Sequence, residues 1–162
     1  MIIRKSNIND IDEILDIYSN ARKYMKEHGN PNQWYDYKPI KEDIVADINN
    51  NIHYSIVENN IIYGCFTFFI GEDTTYNRII NGNWLNNKRY GVIHKLASAF
   101  IKKGILKECL DYTSKLINNI RIDTHEDNIT MQNALDKYGF IKCGIIFLKD
   151  GNRRLAYHKI VE

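Results

Sequence analysis

Residues 90–140 read YGVIHKLASAFIKKGILKECLDYTSKLINNIRIDTHEDNITMQNALDKYGF. We expect this stretch to form a strand, a turn, a helix, a second strand and a second helix, in that order. Gly91–Ala97 contains the apolar residues that suit a strand buried on both faces. Ile120–Thr124 is a short β-branched run, which predicts the second strand.

The two predicted helices have different signals. The first follows the basic turn Lys102-Lys103-Gly104, and its near-helical apolar spacing comprises Ile105, Leu106, Cys109, Leu110, Leu116 and Ile117. The second helix is expected to be capped by Asp127 or Asn128 and to end at Gly139.

The turn before the first helix is a candidate anion site. A helix that begins directly after a glycine-bearing turn presents unpaired backbone N–H groups, which favour a phosphate together with the helix dipole. Lys102 and Lys103 add positive charge there. We therefore predict an anion cradle between Lys102 and Leu106. The alternative is a solvated turn with surface lysines, because the strand–glycine–helix pattern is weakly specific.

The flanking segments predict the rest of the sheet. Strands are expected at Ile2–Arg4, His53–Glu58, Ile61–Ile70, Ile141–Leu148 and Arg153–Val161, with helices after Asp10 and over Ile40–Asn50. Turns at Asn59-Asn60 and Asp150-Gly151 predict two hairpins. The mixture indicates an α+β fold with a largely antiparallel central sheet flanked by helices.

Composition limits the classes of function. A length of 162 residues predicts one domain, residues 1–162, with a sizeable core. The formal net charge of +2 argues against a nucleic-acid partner. The three cysteines lack CxxC spacing and are expected to be reduced, as in the cytoplasm. Neither a signal peptide nor a membrane-spanning run is evident, so we expect a cytoplasmic protein with no membrane partner. The sequence is compatible with either a monomer or a homodimer.

The order of short motifs resembles the GNAT superfamily of acetyl-CoA-dependent N-acetyltransferases. These motifs are HKLA on the strand, KKGI at the turn, DTHEDN after the next strand and KYGF at the helix end. The resemblance covers almost the whole chain, includes NQW at 32–34 and GNWL at 82–85, and is nearest to uncharacterised bacterial members. It implies a GNAT-like sheet in which two parallel strands, here Gly91–Ala97 and Ile120–Thr124, splay apart around the pantetheine arm.

The resemblance also implies acetyl-CoA as cosubstrate, with no metal. The implied contacts are Leu96, Ala97, Ser98, Lys102, Lys103, Gly104, Ile105, Leu106, Asn128 and Met131. The chain departs from the family turn Gln/Arg-x-x-Gly-x-Gly/Ala at Ile101 and Leu106. We therefore expect fewer backbone donors at the pyrophosphate, with the two lysines compensating.

Acyl transfer to an amine needs a base for the amine and a proton for the leaving thiolate. His94 and Glu126 are the candidate bases. Tyr138 is the candidate acid, because Leu135 occupies the position where many family members have a tyrosine. Each residue has a simpler alternative role. His94 would be a hydrogen-bonded histidine within the sheet, Glu126 a surface or helix-capping charge, and Tyr138 an aromatic ring packed in the core.

Aromatic residues are expected on the acceptor side, where the family binds its second substrate. They are Trp34, Tyr35, Tyr37, Trp84 and Tyr90. Such walls suit a small amine or a peptide end, although the rings can instead cover apolar loop surface. The predicted function is N-acetyl transfer to a primary amine of a small molecule or peptide by direct attack. The alternative is a weakly active or inactive acyl-CoA-binding sensor or interaction module, because the turn is altered and the usual tyrosine is missing.

The motifs of three other enzyme classes argue against those functions by their absence from the sequence. The HExxH and CxxC spacings of zinc sites, the GxSxG elbow of hydrolases and the complete P-loop are all missing from the sequence.

Overall fold

Seven strands and four α-helices make up the chain, and the computed structural model describes residues 1–162. The strands are β1 (Ile2–Lys5), β2 (His53–Glu58), β3 (Ile61–Ile70), β4 (Gly91–Ser98), β5 (Asn119–Thr124), β6 (Ile141–Phe147) and β7 (Arg153–Ile160). The helices are α1 (Ile11–Glu27), α2 (Lys41–Asn49), α3 (Ile105–Thr113) and α4 (Ile129–Lys137). None of them combines the length and apolar character that a bilayer crossing requires.

The strands form one sheet in the order β1-β2-β3-β4-β5-β7-β6. Every neighbouring pair is antiparallel except β4 and β5, which are parallel. The predicted α+β class and the mixed, largely antiparallel sheet are therefore confirmed. Both predicted hairpins form: Asn59 and Asn60 have φ values of 51° and 63°, and Gly151 has 87°. These positive values suit asparagine and glycine.

Helices cover both faces of the sheet. α1 and α2 pack on one face against Val57, Ile62, Cys65 and Ala97. α3 and α4 pack on the opposite face, over a larger cluster that includes Ile93, Ile120 and Ile122. A third cluster, around Tyr76, Tyr90 and Val92, lies under the irregular segment 71–90.

The first helix of the central stretch is shorter than predicted. It ends at Thr113, whose hydroxyl donates to the Cys109 carbonyl at 2.9 Å. The chain then turns, and Leu116 is 49% exposed. The inclusion of Leu116 in the helix was therefore wrong. Ile117 does pack against the core, but from the loop that leads into β5.

The central parallel pair opens after a short contact. β4 and β5 are paired at Gly91–Ile120, Val92–Arg121 and Ile93–Ile122, and no pair follows. Of the remaining residues of β4, His94, Ala97 and Ser98 are paired only with β3. The predicted splay is therefore confirmed, and it leaves a gap in the middle of the sheet.

Candidate active site

A cavity of about 300 Å³ lies where β4 and β5 separate. Both strands, the end of α1, the start of α4 and the loop between α1 and α2 contribute to its wall. The lining residues include Met25, Gln33, Trp34, Lys38, Asp43, Ile93, His94, Lys95, Leu96, Asp123, Asn128, Met131 and Arg154. The gap in the sheet is therefore continuous with a mixed polar and apolar pocket.

A bulge in β4 shapes one side of this cavity. Thr67 pairs with His94 and Cys65 with Ala97, so β4 has one extra residue at this point. Lys95 adopts a φ of 54° there, which is unusual for a residue with a side chain. Bulges of this kind commonly redirect a strand next to an active site.

Two contacts hold the bulge in place. The Tyr18 hydroxyl donates to the Lys95 carbonyl at 2.8 Å, and the Lys95 ammonium donates to Asp47 at 2.7 Å. Asp47 also accepts a 2.7 Å hydrogen bond from Thr67. Helices α1 and α2 therefore both support the unusual backbone of Lys95.

Behind Tyr18 lies a buried chain of hydrogen bonds. His53 Nε2 lies 3.0 Å from the Tyr18 hydroxyl, and His53 Nδ1 lies 2.7 Å from Ser6 Oγ. Because Tyr18 donates its proton to Lys95, Nε2 must be the protonated nitrogen of His53. Burial lowers the pKa of His53 to about 4, so the imidazole is neutral near pH 7.

His94 lies on β4 between two carboxylates. Its Nε2 is 2.7 Å from Asp73 Oδ2, and its Nδ1 is 3.7 Å from Asp123 Oδ2. Asp73 accepts the hydrogen bond, so Nε2 carries a proton, and in the neutral form of the ring Nδ1 is the nitrogen with a free lone pair. Asp123 is fixed by the Tyr76 hydroxyl, which donates to it at 2.6 Å. The two unprotonated atoms, Nδ1 and Oδ2, face each other as acceptors.

Asp73 is itself firmly positioned. It accepts hydrogen bonds from the backbone and hydroxyl of Thr75 at 3.0 and 2.6 Å, and its own N–H donates to the Tyr90 hydroxyl at 2.9 Å. Burial alone would raise the pKa of Asp73, but the hydrogen bonds from His94 and Thr75 outweigh it and lower the pKa to about 2. Asp73 is therefore a fixed negative charge beside His94.

The NQW segment joins the cavity wall to the second half of the chain. Gln33 Oε1 accepts from the side-chain amides of Asn30 and Asn128, both at 2.9 Å. The Gln33 carbonyl accepts from Arg154 at 3.0 Å. Trp34 lines the cavity and contacts Tyr18 edge-on, with 5.7 Å between the ring centres.

The predicted coenzyme residues fall into two groups. Leu96, Asn128 and Met131 line the cavity, and Asn128 also caps α4 by accepting from the Met131 N–H at 3.0 Å. Ala97 is buried and Ser98 is half-buried at the end of β4. The other group lies at the start of α3.

The start of α3 has unpaired backbone donors. The first backbone hydrogen bond runs from the Glu108 N–H to the Gly104 carbonyl, so Ile105, Leu106 and Lys107 have free amide groups. Gly104 has a φ of 85°, a value that favours glycine. Lys102 pairs with Glu58 at 3.1 Å, whereas Lys103 is exposed.

The structure brings His94 and Trp34 together at the cavity, but several other predicted residues lie elsewhere. Glu126 is exposed and pairs with Arg153 at 3.1 Å. Tyr138 ends α4, packs on the core and does not line the cavity. Trp84 donates to the Tyr76 carbonyl at 2.8 Å within the third apolar cluster.

Tyr35 and Tyr90 also lie outside the cavity lining. The Tyr35 ring stacks on Tyr37 at 5.8 Å, and its hydroxyl accepts from Asn152 at 3.2 Å. Tyr90 does not contact His94 through a hydrogen bond. Its hydroxyl accepts from the N–H of Asp73, and the Asp73 carboxylate binds His94.

Sequence reasoning missed Asp73, Asp123 and Tyr76. Asp73 and Tyr76 belong to a segment without periodicity, and no local pattern marks them as neighbours of His94. For Asp123, a usable signal existed: it is an acidic residue within the predicted strand Ile120–Thr124, next to the strand with His94. An aspartate at such a place suggests a function rather than packing.

Comparisons with known proteins were made on sequence and on structure. No protein-family model matches the chain, and no curated protein does. A GNAT-family acetyltransferase from Streptococcus agalactiae is 33% identical, aligns over 99% of this chain and 95% of its own, and has a TM-score of 0.89. A proposed acetyltransferase from Staphylococcus aureus is 25% identical over both full chains, with a TM-score of 0.74. A Salmonella typhimurium protein solved with its cofactor acetyl-CoA is 14% identical, covers 100% of this chain and 94% of its own, and has a TM-score of 0.64.

Proposed function

Because this chain belongs to the GNAT family of acetyltransferases, we propose that it moves an acetyl group from acetyl-CoA to a primary amine of a small molecule or peptide. The observation that supports an amine acceptor is the arrangement at His94. Its free Nδ1 and the Asp123 carboxylate oxygen are 3.7 Å apart and both accept hydrogen bonds. An ammonium group, which only donates, suits this pair.

The residues around the gap fit acetyl-CoA. When bound, it supplies the thioester carbonyl that the amine attacks and the thiolate that leaves. The free amide groups of Ile105, Leu106 and Lys107, with exposed Lys103, would hold its pyrophosphate at the start of α3. Leu96 and Met131 would line the pantetheine arm, because both lie along the opened strands.

In this proposal His94 is the general base. Asp123 binds the ammonium, His94 Nδ1 removes one proton from it, and the neutral amine is then a nucleophile. Asp73 fixes the ring through the 2.7 Å contact to Nε2 and stabilises the positive charge that forms on the imidazole. Glu126 has no part in this step, because its carboxylate is paired with Arg153 at the exposed surface.

The bulge in β4 would place the reacting carbonyl. Lys95 and Leu96 have no register partner on β3, so their backbone lies outside the hydrogen-bond ladder between β3 and β4, next to His94. Preorganised backbone N–H groups stabilise the negative charge that develops on a carbonyl oxygen during acyl transfer. Tyr18 and Asp47 would act indirectly, by maintaining the shape of this segment.

The test combines binding and turnover. Acetyl-CoA binding is measured by isothermal titration, and free thiol is then followed over a panel of amines. His94→Gln should leave the dissociation constant for acetyl-CoA unchanged and lower kcat by about 100-fold or more, as expected for loss of a general base. His28→Gln, an exposed histidine at the end of α1, is the matched control and should retain full activity.

Each outcome has a defined meaning. Full activity of His94→Gln across the pH range would contradict the base assignment. Tight binding of acetyl-CoA with no thiol release on any amine would contradict N-acetyl transfer and favour a binding module on the same fold.

A further inference from the structure

Arg154 is a buried cation on the wall of the active-site cavity. The residue is only 5% exposed, and its guanidinium donates to the carbonyls of Arg153 and Gln33 at 2.9 and 3.0 Å. Arginine has five N–H donors, so these two bonds leave others unassigned. A buried charge is costly unless a counter-charge accompanies it.

The acidic residues nearest to Arg154 have other partners. Asp150 pairs with Lys38 at 3.8 Å, Glu126 pairs with Arg153 at 3.1 Å, and Asp123 accepts from Tyr76 at 2.6 Å. No carboxylate lies within 4.0 Å of Arg154 itself. The cavity therefore contains a positive group without an ion-pair partner.

Strand register places this cation in line with the proposed amine site. Ile93 pairs with Ile122, and Asp123 pairs with Ala156. Because side chains alternate along a strand, His94, Asp123 and Arg154 all project from the same face of three adjacent strands. Adjacent strands lie about 4.8 Å apart where they are paired, and β4 and β5 separate here, so β4 and β7 are at least about 10 Å apart. His94 and Arg154 thus lie on the two outer strands of this group, with Asp123 on the strand between them.

Lys38 adds a second cation to the cavity wall. Its ammonium lies 5.9 Å from the ring centres of Tyr35 and Tyr37, near the turn that precedes β7. The loop with Lys38 also provides the Gln33 carbonyl that positions Arg154. Because Lys38 is paired with Asp150, Arg154 is the cation at this end of the cavity that has no ion-pair partner.

We propose that the acceptor carries a carboxylate as well as its amine, as a free amino acid does, and that Arg154 binds this carboxylate. The planar guanidinium presents paired N–H groups that match the two oxygens of a carboxylate. The amine would then lie between His94 and Asp123. This inference rests on the proposed function, because it assigns the second half of the same acceptor.

The pyrophosphate of acetyl-CoA is not an equivalent occupant. α3 packs on the face of the sheet that contains Ile93 and Ile122, and Arg154 projects from the opposite face. An anion at the start of α3 and an anion at Arg154 are consequently two separate ligand groups.

The test compares each amino acid with its own C-terminal amide. The probes are the standard amino acids and the corresponding amino acid amides, with thiol release from acetyl-CoA as the readout. For the wild-type protein, kcat/KM should be more than tenfold higher for at least one free acid than for its amide. Arg154→Lys should reduce that preference at least tenfold, mainly through KM for the acid, with acetyl-CoA affinity unchanged.

Arg153→Lys is the matched control, because Arg153 is the adjacent arginine but is exposed and does not line this cavity. It should retain the wild-type preference. The melting temperature and acetyl-CoA affinity of Arg154→Lys establish that the variant is folded, and Arg154→Met tests loss of the charge itself.

Two failures are distinguishable. Turnover of acids and amides at equal kcat/KM, or an unchanged preference in folded Arg154→Lys, would overturn the carboxylate assignment and leave N-acetyl transfer intact. Thiol release with other amines but with no amino acid or amide would overturn the carboxylate assignment alone, whereas absence of thiol release with the amino acids, their amides and the wider amine panel would overturn both.

Discussion

At the scale of single residues, His94 owes its setting to two aspartates that are distant in sequence. Asp73 accepts a hydrogen bond from Nε2 and Asp123 faces Nδ1, so one imidazole is held between a counter-charge and the proposed amine position. A histidine within a strand is most often only a packed residue. Here the contact with Asp73 fixes the proton on Nε2, so that the Nδ1 lone pair of the neutral ring faces Asp123 on the cavity wall.

Asp73→Asn tests whether the counter-charge matters. An asparagine oxygen can still accept from Nε2, but it lacks the negative charge that stabilises a positive imidazole, so kcat should fall by about 10- to 100-fold, less than for loss of the base itself. KM for acetyl-CoA should not change. Steady-state kinetics with a fixed amine provide the measurement.

Glu72→Gln is the control for Asp73→Asn. Glu72 is the preceding acid, is exposed and contacts only Asn77, so its loss should leave kcat unchanged. Equal losses in both variants would indicate a general effect of negative charge on this segment rather than a role for Asp73.

Single residues also mark the limit of what sequence could predict at the site. His94 was found because it lies within a strand of the recognisable central stretch. Trp84 and Tyr90 were assigned to the acceptor wall because they are aromatic and lie in the expected segment. Instead, the Arg121 guanidinium stacks on both rings, at 4.3 and 3.9 Å. That contact brings segment 71–90 against β5, and no spacing rule anticipates it.

At the scale of elements, the junction between β4 and α3 was predictable because a glycine between a strand and a helical apolar pattern favours a turn with positive φ. Gly104 has a φ of 85°, and the helix begins at the next residue. The end of α3 was less predictable, since Leu116 continues the apolar spacing after the backbone has already turned. Periodicity describes which residues tend to be buried, and here the turn after Thr113 overrides it.

Replacing Gly104 tests the conformation of this junction. A Cβ at Gly104 would meet nothing within 4 Å, so the constraint is the positive φ rather than space. Gly104→Val should strain the turn by about 1–2 kcal/mol and weaken acetyl-CoA binding by at least tenfold in titration calorimetry.

Gly104→Asn separates the two explanations, because asparagine tolerates positive φ while also adding a side chain. Binding close to that of the wild type is expected. If Asn and Val weaken binding equally, the loss comes from the side chain itself and the conformational argument is incorrect.

At the scale of the whole molecule, two buried histidines in different parts of the sheet link stability to pH. Burial lowers the pKa of both His53 and His158 to about 4, against about 6.5 for an exposed imidazole. Between these values the unfolded chain binds protons that the folded chain does not, so the free energy of unfolding rises with pH. Stability is therefore lost as the pH falls from about 6.5 to about 4.

Urea unfolding at a series of pH values measures this dependence. The slope contributed by His53 should approach about 1.4 kcal/mol per pH unit within that window. His53→Gln should flatten the dependence, whereas His28→Gln, at an exposed position, should not. An unchanged slope in His53→Gln would mean that other groups cause the loss of stability in acid.

The architecture as a whole was more predictable than the site. Strand and helix order follow from local patterns such as the Ile120–Thr124 run and the two asparagines between β2 and β3. The chemistry depends instead on contacts between segment 71–90, β4, β5 and β7, which are distant in the chain. The contact between Asp73 and His94 joins residues 21 positions apart in the sequence, and no local pattern predicts it.

The short contact between β4 and β5 has a mechanical consequence. Three residue pairs are the only ladder connection between a four-stranded half-sheet and a three-stranded one. A molecule lying along the opening would bridge the two halves much as a further strand would. Amide protons on both sides of the opening, in residues 94–98 and 122–124, should then exchange more slowly once coenzyme is added, even where they do not touch it.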